Sequence, residues 1–195
     1  MVFVRRKPQI EMNALNLQLA FYQSEHARYE LLVANVHIKG WLECDLIGIR
    51  KNAQVDEVEI KLSRSDFKAD FSKTVAMEKG QLGAVEVQEG HLTFWQGKKH
   101  DLLAAGLSPV NRFWFMAPLD LLSVDELPEH AGLIEVTKTG SLRITKLAPL
   151  LHKRKADDSF RYNCLRQQGW RVWDYMTGTR KIGNGMQLVE NPPVD

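Results

Sequence analysis

The chain predicts an α/β fold, and three observations carry that expectation. Residues 9–28 (QIEMNALNLQLAFYQSEHAR) hold no Gly or Pro and place Ile10, Leu17 and Phe21 on one helical stripe. Two alternating segments, L-E-C-D-L-I-G-I and V-D-E-V-E-I-K-L, flank the polar run Lys51 to Gln54 and read as a β-hairpin. Further on, KKHDLLAAGL reads as a short helix ended by Gly106 and Pro109, and NRFWFMA (111–117) as a buried strand ended by Pro118.

In order, the helix should pack on the sheet, and LLVANVHI (31–38) follows as a strand turning at Lys39-Gly40. Side chains alternate along a strand, so Glu57, Glu59 and Lys61 share one face and Val58, Ile60 and Leu62 the other. If facing residues sum to an even number, Asp45 falls opposite Glu59 or Lys61; this even register is the expected one. Asp45 then shares its face with Ile47 and Ile49, where an ionised carboxylate is costly unless paired or bound to a cation. A divalent cation between Asp45 and Glu59 would meet that cost, with Lys61 beside it to orient or deprotonate a bound water or to offset charge on a phosphate. The alternative is that Glu-x-Glu-x-Lys is the solvated face of a half-buried strand.

Ser63-Arg64-Ser65-Asp66 has capping-box spacing, with Asp66 returning to the Ser63 amide, and Asp66, Asp70 and Lys73 recur at helical spacing. That face either orients Lys61 or serves only for capping and surface ion pairs. Glu78 to Lys98 is expected to form a hairpin arm turning at Gln88-Glu89-Gly90. Gly132 to Thr137 and Ser141 to Thr145 give a last hairpin, and a helix is expected from about Asp158 to Gln168 with Asp157 or Asp158 as its cap.

Composition, with 44% hydrophobic and 26% charged residues, is that of a globular protein. No apolar run approaches the roughly 20 residues of a membrane helix, and the N-terminal apolar stretch is too short for a secretory signal. The expectation is a cytoplasmic protein with no membrane partner. Cys44 and Cys164 suggest neither a disulfide framework nor a zinc site. No P-loop, G-x-G-x-x-G or G-x-S-x-G motif occurs, which leaves nucleotide-cofactor and serine-hydrolase chemistry without support.

Charge is uneven: residues 1–137 carry a net −4, residues 138–181 a net +8 and the last fourteen −2. A basic C-terminal third behind an acidic front suits a protein that draws a polyanion towards carboxylates, though it would also suit a solvated basic helix. Lys153, Arg154, Lys155, Arg166 and Arg171 are the candidate DNA contacts. Trp170, Trp173 and Tyr175 interleave with Arg166, Arg171 and Arg180, which fits either a strand of nucleic acid or an interface such as a homodimer. The end, GNGMQLVENPPVD, reads as a flexible tail.

Asp45, then Glu59-Ile60-Lys61 after thirteen intervening residues, resembles the PD-(D/E)XK nuclease superfamily. The blocks VEIKLSRSDFKADFSK (58–73), KHDLLAAG (99–106), NRFWFMAP (111–118) and ELPEHAGLIEV (126–136) look, in this order, like those of MmcB-like DNA repair proteins. The resemblance spans roughly residues 28–137. It implies a restriction-endonuclease-like αβββαβ core with a mixed central sheet, an inserted hairpin at 74–97 and a basic C-terminal helical extension. The nuclease core would occupy 1–150 and the extension 151–195. It further implies Mg2+- or Mn2+-dependent hydrolysis of DNA, with Asp45, Glu59 and the Ile60 carbonyl as metal ligands and Lys61 assisting the attacking water. Cys44 departs from the superfamily's Pro. An acidic residue on the first helix is expected, with Glu11, Glu25 and Glu30 as candidates and Glu11 preferred. By the same resemblance Lys99 and His100 are candidates for phosphate contact or for supporting the site from behind; Asp66 is a further supporting residue on its helical spacing alone.

Overall fold

The computed structural model describes residues 8–82 and 84–178; residues 1–7, Arg180 and the tail 183–195 lie outside the described residues. Helix α1 (Ala14–Glu25) precedes strands β1 (Tyr29–His37), β2 (Glu43–Arg50) and β3 (Val55–Ile60). Then come α2 (Arg64–Asp70), β4 (Thr74–Met77), β5 (Val85–Glu89), β6 (Leu92–Lys98) and α3 (Lys99–Ala104). The chain continues through β7 (Arg112–Pro118), β8 (Ala131–Val136), β9 (Leu142–Lys146) and α4 (Asp158–Met176). The fold is mixed α/β, with a six-stranded sheet in the order β1-β2-β3-β7-β8-β9 and a three-stranded sheet β4-β6-β5. β1, β2 and β3 are antiparallel, β7 and β8 run parallel to β3, and β9 turns back antiparallel. A parallel return cannot be made by a tight turn, and the connection from β3 to β7 carries α2, the small sheet and α3.

Two apolar layers fix the sheet. α1 starts later than the periodicity suggests because Asn13 is its cap, accepting from the Asn16 amide at 2.9 Å. Leu17, Ala20 and Phe21 of α1 cover Leu46, Val58, Ile60, Trp114, Met116, Ile134 and Val136. Removing Leu17 and Phe21 from water contributes about 2 kcal/mol each. The other layer joins Ile47, Ile49, Phe113, Phe115 and Leu133 to Phe67 of α2, Leu102 and Leu103 of α3 and Cys164 of α4. β3 is therefore buried along its whole length, on both faces.

Several local expectations change. Ser63 caps α2 by accepting from the Asp66 amide, but Asp66 returns to the Leu62 amide at 3.4 Å, not to Ser63. The arm at 74–97 is a three-stranded sheet, since Thr74–Met77 pairs with β6. α4 runs through the tryptophans to Met176 because its inward face is held by polar bonds along β1. Gln167 exchanges hydrogen bonds with the His37 backbone, and Gln168 and Arg171 donate to the carbonyls of Ala34 and Asn35. No described helix is long and apolar enough to cross a membrane.

Candidate functional site

β2 and β3 set the site by register. Leu46 faces Val58 and Ile47 faces Glu57, so the even register holds, and one step further brings Asp45 level with Glu59. There the β2–β3 ladder ends, and the Ile60 amide donates instead to Asp45 Oδ2 at 2.7 Å. Gln18 of α1 holds Asp45 from behind by donating to its backbone carbonyl at 3.1 Å.

The charged face of β3 is not solvated. Glu57, Glu59 and Lys61 are 0, 3 and 2% exposed, which removes the solvated-strand alternative. Burial of that much charge demands partners, and they arrive from α2, α3 and the turn after α2. Lys99 Nζ lies 2.9 Å from Glu57 Oε1, 2.6 Å from Glu59 Oε1 and 3.7 Å from Asp70 Oδ2. Lys61 Nζ donates to Asp70 Oδ1 at 2.7 Å and stands 3.5 Å from Glu59 Oε2. Lys73 Nζ bridges Glu59 Oε1 at 3.0 Å and Asp70 Oδ1 at 2.7 Å. The Trp41 indole donates to Glu57 Oε2 at 3.0 Å. His100 Nε2 meets Asp70 Oδ2 at 2.9 Å, its Nδ1 meets His130 Nε2 at 2.8 Å, and its ring stacks on Phe71.

Three buried carboxylates, Glu57, Glu59 and Asp70, thus face three ammonium groups, the buried Lys61 and Lys99 and the partly exposed Lys73, and these charges balance. Asp45 is the carboxylate left over. Burial and the adjacent Glu59 push its carboxyl up to about 6, against the Ile60 amide, which pulls it down. Burial also works to raise Glu59, but Lys99, Lys61 and Lys73 outweigh it and keep that carboxyl below its ordinary range. Asp70 is held well below the usual carboxylate range: burial opposes this, and the His100 hydrogen bond with Lys99 and Lys61 prevails. His130 is pushed down to about 4 by burial and by His100, so it is neutral at pH 7.

Asp45, Glu59, Ile60, Lys61 and Lys73 open onto a cavity of about 250 Å³, bounded also by Ala14, Leu62 and Asp66. Asp66 is exposed at its rim, 3.8 Å from Lys61. Among the described residues no three His, Cys, Asp or Glu side chains converge to hold a metal ion. The pair Asp45 and Glu59 offers hard oxygen donors, and Mg2+ bound by one or two carboxylates keeps several waters. The uncompensated Asp45 charge is what such a cation would offset, and on that chemistry the pair fits it.

The other candidates are placed differently. Glu11 lies before α1, exposed, and does not line the cavity; Ala14 is the α1 residue that does. Lys99 and His100 are buried and, unlike Lys61, do not line the cavity, so they support Glu57, Glu59 and Asp70 from inside. Arg154 gives its guanidinium to the carbonyls of Gly106 and Ser108, and Arg171 gives its own to Asn35. Lys153, Lys155 and Arg166 remain exposed. The 153–155 segment sits by the β2–β3 turn, where the Ala156 amide bonds Ala53, at the opposite end of β3 from Glu59. The cation that joins Lys61 at the cavity is instead Lys73, which the helical-spacing argument grouped with Asp66 and Asp70 without marking it as a site residue.

The chain matches no described protein family and no curated protein in sequence. Among solved structures it is similar to SPO1766, a protein of unknown function from Silicibacter pomeroyi. The TM-score is 0.50 at 16% identity, over 97% of this chain and 100% of that one. The likeness bears on the fold alone.

Proposed function

We propose that the protein is a Mg2+-dependent nuclease acting on DNA, built on a restriction-endonuclease-like core. The observation that carries this reading is the surplus carboxylate. Asp45 stands beside Glu59 at the mouth of a cavity and, among the described residues, makes no ion pair, its favourable contacts being the Ile60 amide and the more distant Lys61 charge. Supporting it is the element order, in which α1 and the antiparallel β1–β3 are followed by helices and by β7 returning parallel to β3.

In this reading Asp45, Glu59 and the Ile60 backbone carbonyl would hold the cation. When bound, Mg2+ supplies a more acidic water and stabilises charge building on a phosphate. The chain's own residues do the rest. Lys61, fixed by Asp70, presents an ammonium group beside the attacked phosphate, and Lys73 offers a second at the rim, where a backbone phosphate can reach it. His100 and His130 lock Asp70, and through it Lys61.

The test is incubation of plasmid and single-stranded DNA with the protein and Mg2+ or Mn2+, against Asp45→Asn and against chelator. Cleavage by the wild type that both controls abolish supports the reading, whereas equal cleavage by wild type and variant sinks it. A second reading, a DNA-binding protein that has kept the fold without catalysis, is favoured by the saturation of Glu59 by three lysines. It predicts a salt-sensitive gel shift in chelator and no cutting in any metal.

A further inference from the structure

The outward face of α4 stands apart from the site. Tyr162, Leu165, Trp170, Val172, Trp173 and Met176 are 64, 54, 58, 54, 64 and 69% exposed. Five of these side chains share one stripe, Trp170 lying to one side, and together present roughly 600 Å² of surface, most of it apolar, at the upper end of what a monomer commonly shows as one patch. At 3.6 residues per turn the stripe is centred on Gly169, with Tyr162 and Met176 close to its midline, Trp173 and Leu165 further out on opposite sides, and Val172 and Arg166 beyond them. Among the described residues nothing lies within 4 Å of where a Gly169 Cβ would be. A glycine there costs the helix about 1 kcal/mol relative to alanine, and among the described residues no close approach requires it.

We propose that this face receives a second copy of the chain, with the two α4 helices packed antiparallel about a two-fold axis at Gly169. Facing residues then sum to 338, so Tyr162 meets Met176, Leu165 meets Trp173, and Gly169 meets its mate where the backbones approach. A two-fold contact must be self-complementary, and this stripe pairs apolar with apolar along its middle, with Arg166 meeting Val172 at its edges. The area suits it, since a stable dimer buries about 800 Å² per partner, and Trp, Tyr, Met and Arg are residues that interfaces favour. Nucleic acid fits the face less well because a phosphate track needs several cations. Among the described residues Arg166 is the cation here, stacked on Trp170 with its Cζ 4.7 Å from the ring centroid, while Arg161 pairs with Glu30 and Arg171 is turned inward.

The test is sedimentation velocity on the full chain at about 1–50 µM, a range that spans micromolar association. The expected species is the dimer, twice the 22.3 kDa chain mass. Trp173→Glu, at a position exposed in the single chain, should stay folded by circular dichroism and weaken association at least tenfold. Under mild oxidation Gly169→Cys should cross-link to its mate, while Ser159→Cys, exposed on the same helix but away from the axis, should not. A monomer throughout that range overturns the proposal, including one that associates only when an oligonucleotide is added or when residues 179–195 are deleted. So does a dimer indifferent to Trp173→Glu, or a Gly169→Cys that cross-links no faster than Ser159→Cys.

Discussion

Replacing Asp45 by Asn removes one charge from the end of β2 and keeps an oxygen for the Ile60 amide, which now lies 2.7 Å from Asp45 Oδ2. Asp45 titrates at about 6 in the folded chain against 3.8 for the free carboxyl. The folded state therefore binds this proton more tightly than the unfolded state. The sign follows from linkage: Asp45 costs nothing below the unfolded value, and its penalty grows as pH rises through the window from about 4 to about 6. Above that window the penalty is about 3 kcal/mol, at 1.36 kcal/mol per pH unit. Asn has no such window, so Asp45→Asn should match the wild type near pH 4 and exceed it by about 2–3 kcal/mol at pH 7.5. Urea unfolding followed by tryptophan fluorescence reads this as a midpoint raised by about 1 M for an m-value of 2–3 kcal/mol/M. A chain that gains stability by losing a charge is holding that charge for another purpose. An Asn variant less stable than wild type at pH 7.5, or a difference that does not change between pH 4 and 7.5, would refute the reasoning.

Three other outcomes follow from the same contacts. Asp70→Asn leaves Lys61, Lys73 and Lys99 with one acceptor fewer and should lower unfolding free energy by about 3–5 kcal/mol in urea titrations. Gly132→Ala would drive a methyl to 2.4 Å from the Trp114 ring and 2.6 Å from the Ala148 amide nitrogen, and should cost about 1–3 kcal/mol. Millimolar Mg2+ at pH 7.5 should raise the melting temperature of the wild type and leave that of Asp45→Asn unchanged, because only the former has the surplus charge to offset.

The hairpin, its register and the Asp157 cap of α4 were legible because each is a local pattern. Alternation fixes which side chains share a face, and a short polar side chain before a helix reaches its own amides. The depth of the β3 face was not legible. Glu57, Glu59 and Lys61 look like solvated residues until Lys99 arrives from forty residues away to bury with them. Lys99 and His100 were singled out in the sequence for phosphate contact or support, but their burial was not legible, since only the packing of α3 against the sheet decides that. Asp70 and Lys73 belonged to the expected helical face. Their meeting with Glu59 depends on the turn after α2, which no spacing specifies. Glu11 failed for a converse reason: the Asn13 cap starts α1 late and leaves Glu11 outside the helix. The length of α4 escaped because its outward stripe is exposed while its inward face is held mostly by polar bonds to β1, so no single apolar face marks the core side.

The most direct test of the central claim is anomalous diffraction from crystals soaked in Mn2+ at pH 7.5. The account predicts one strong peak at roughly 2.0–2.3 Å from oxygens of both Asp45 and Glu59. Saturating Mn2+ with no peak between those two carboxylates, or with the ion bound by other residues, would contradict it.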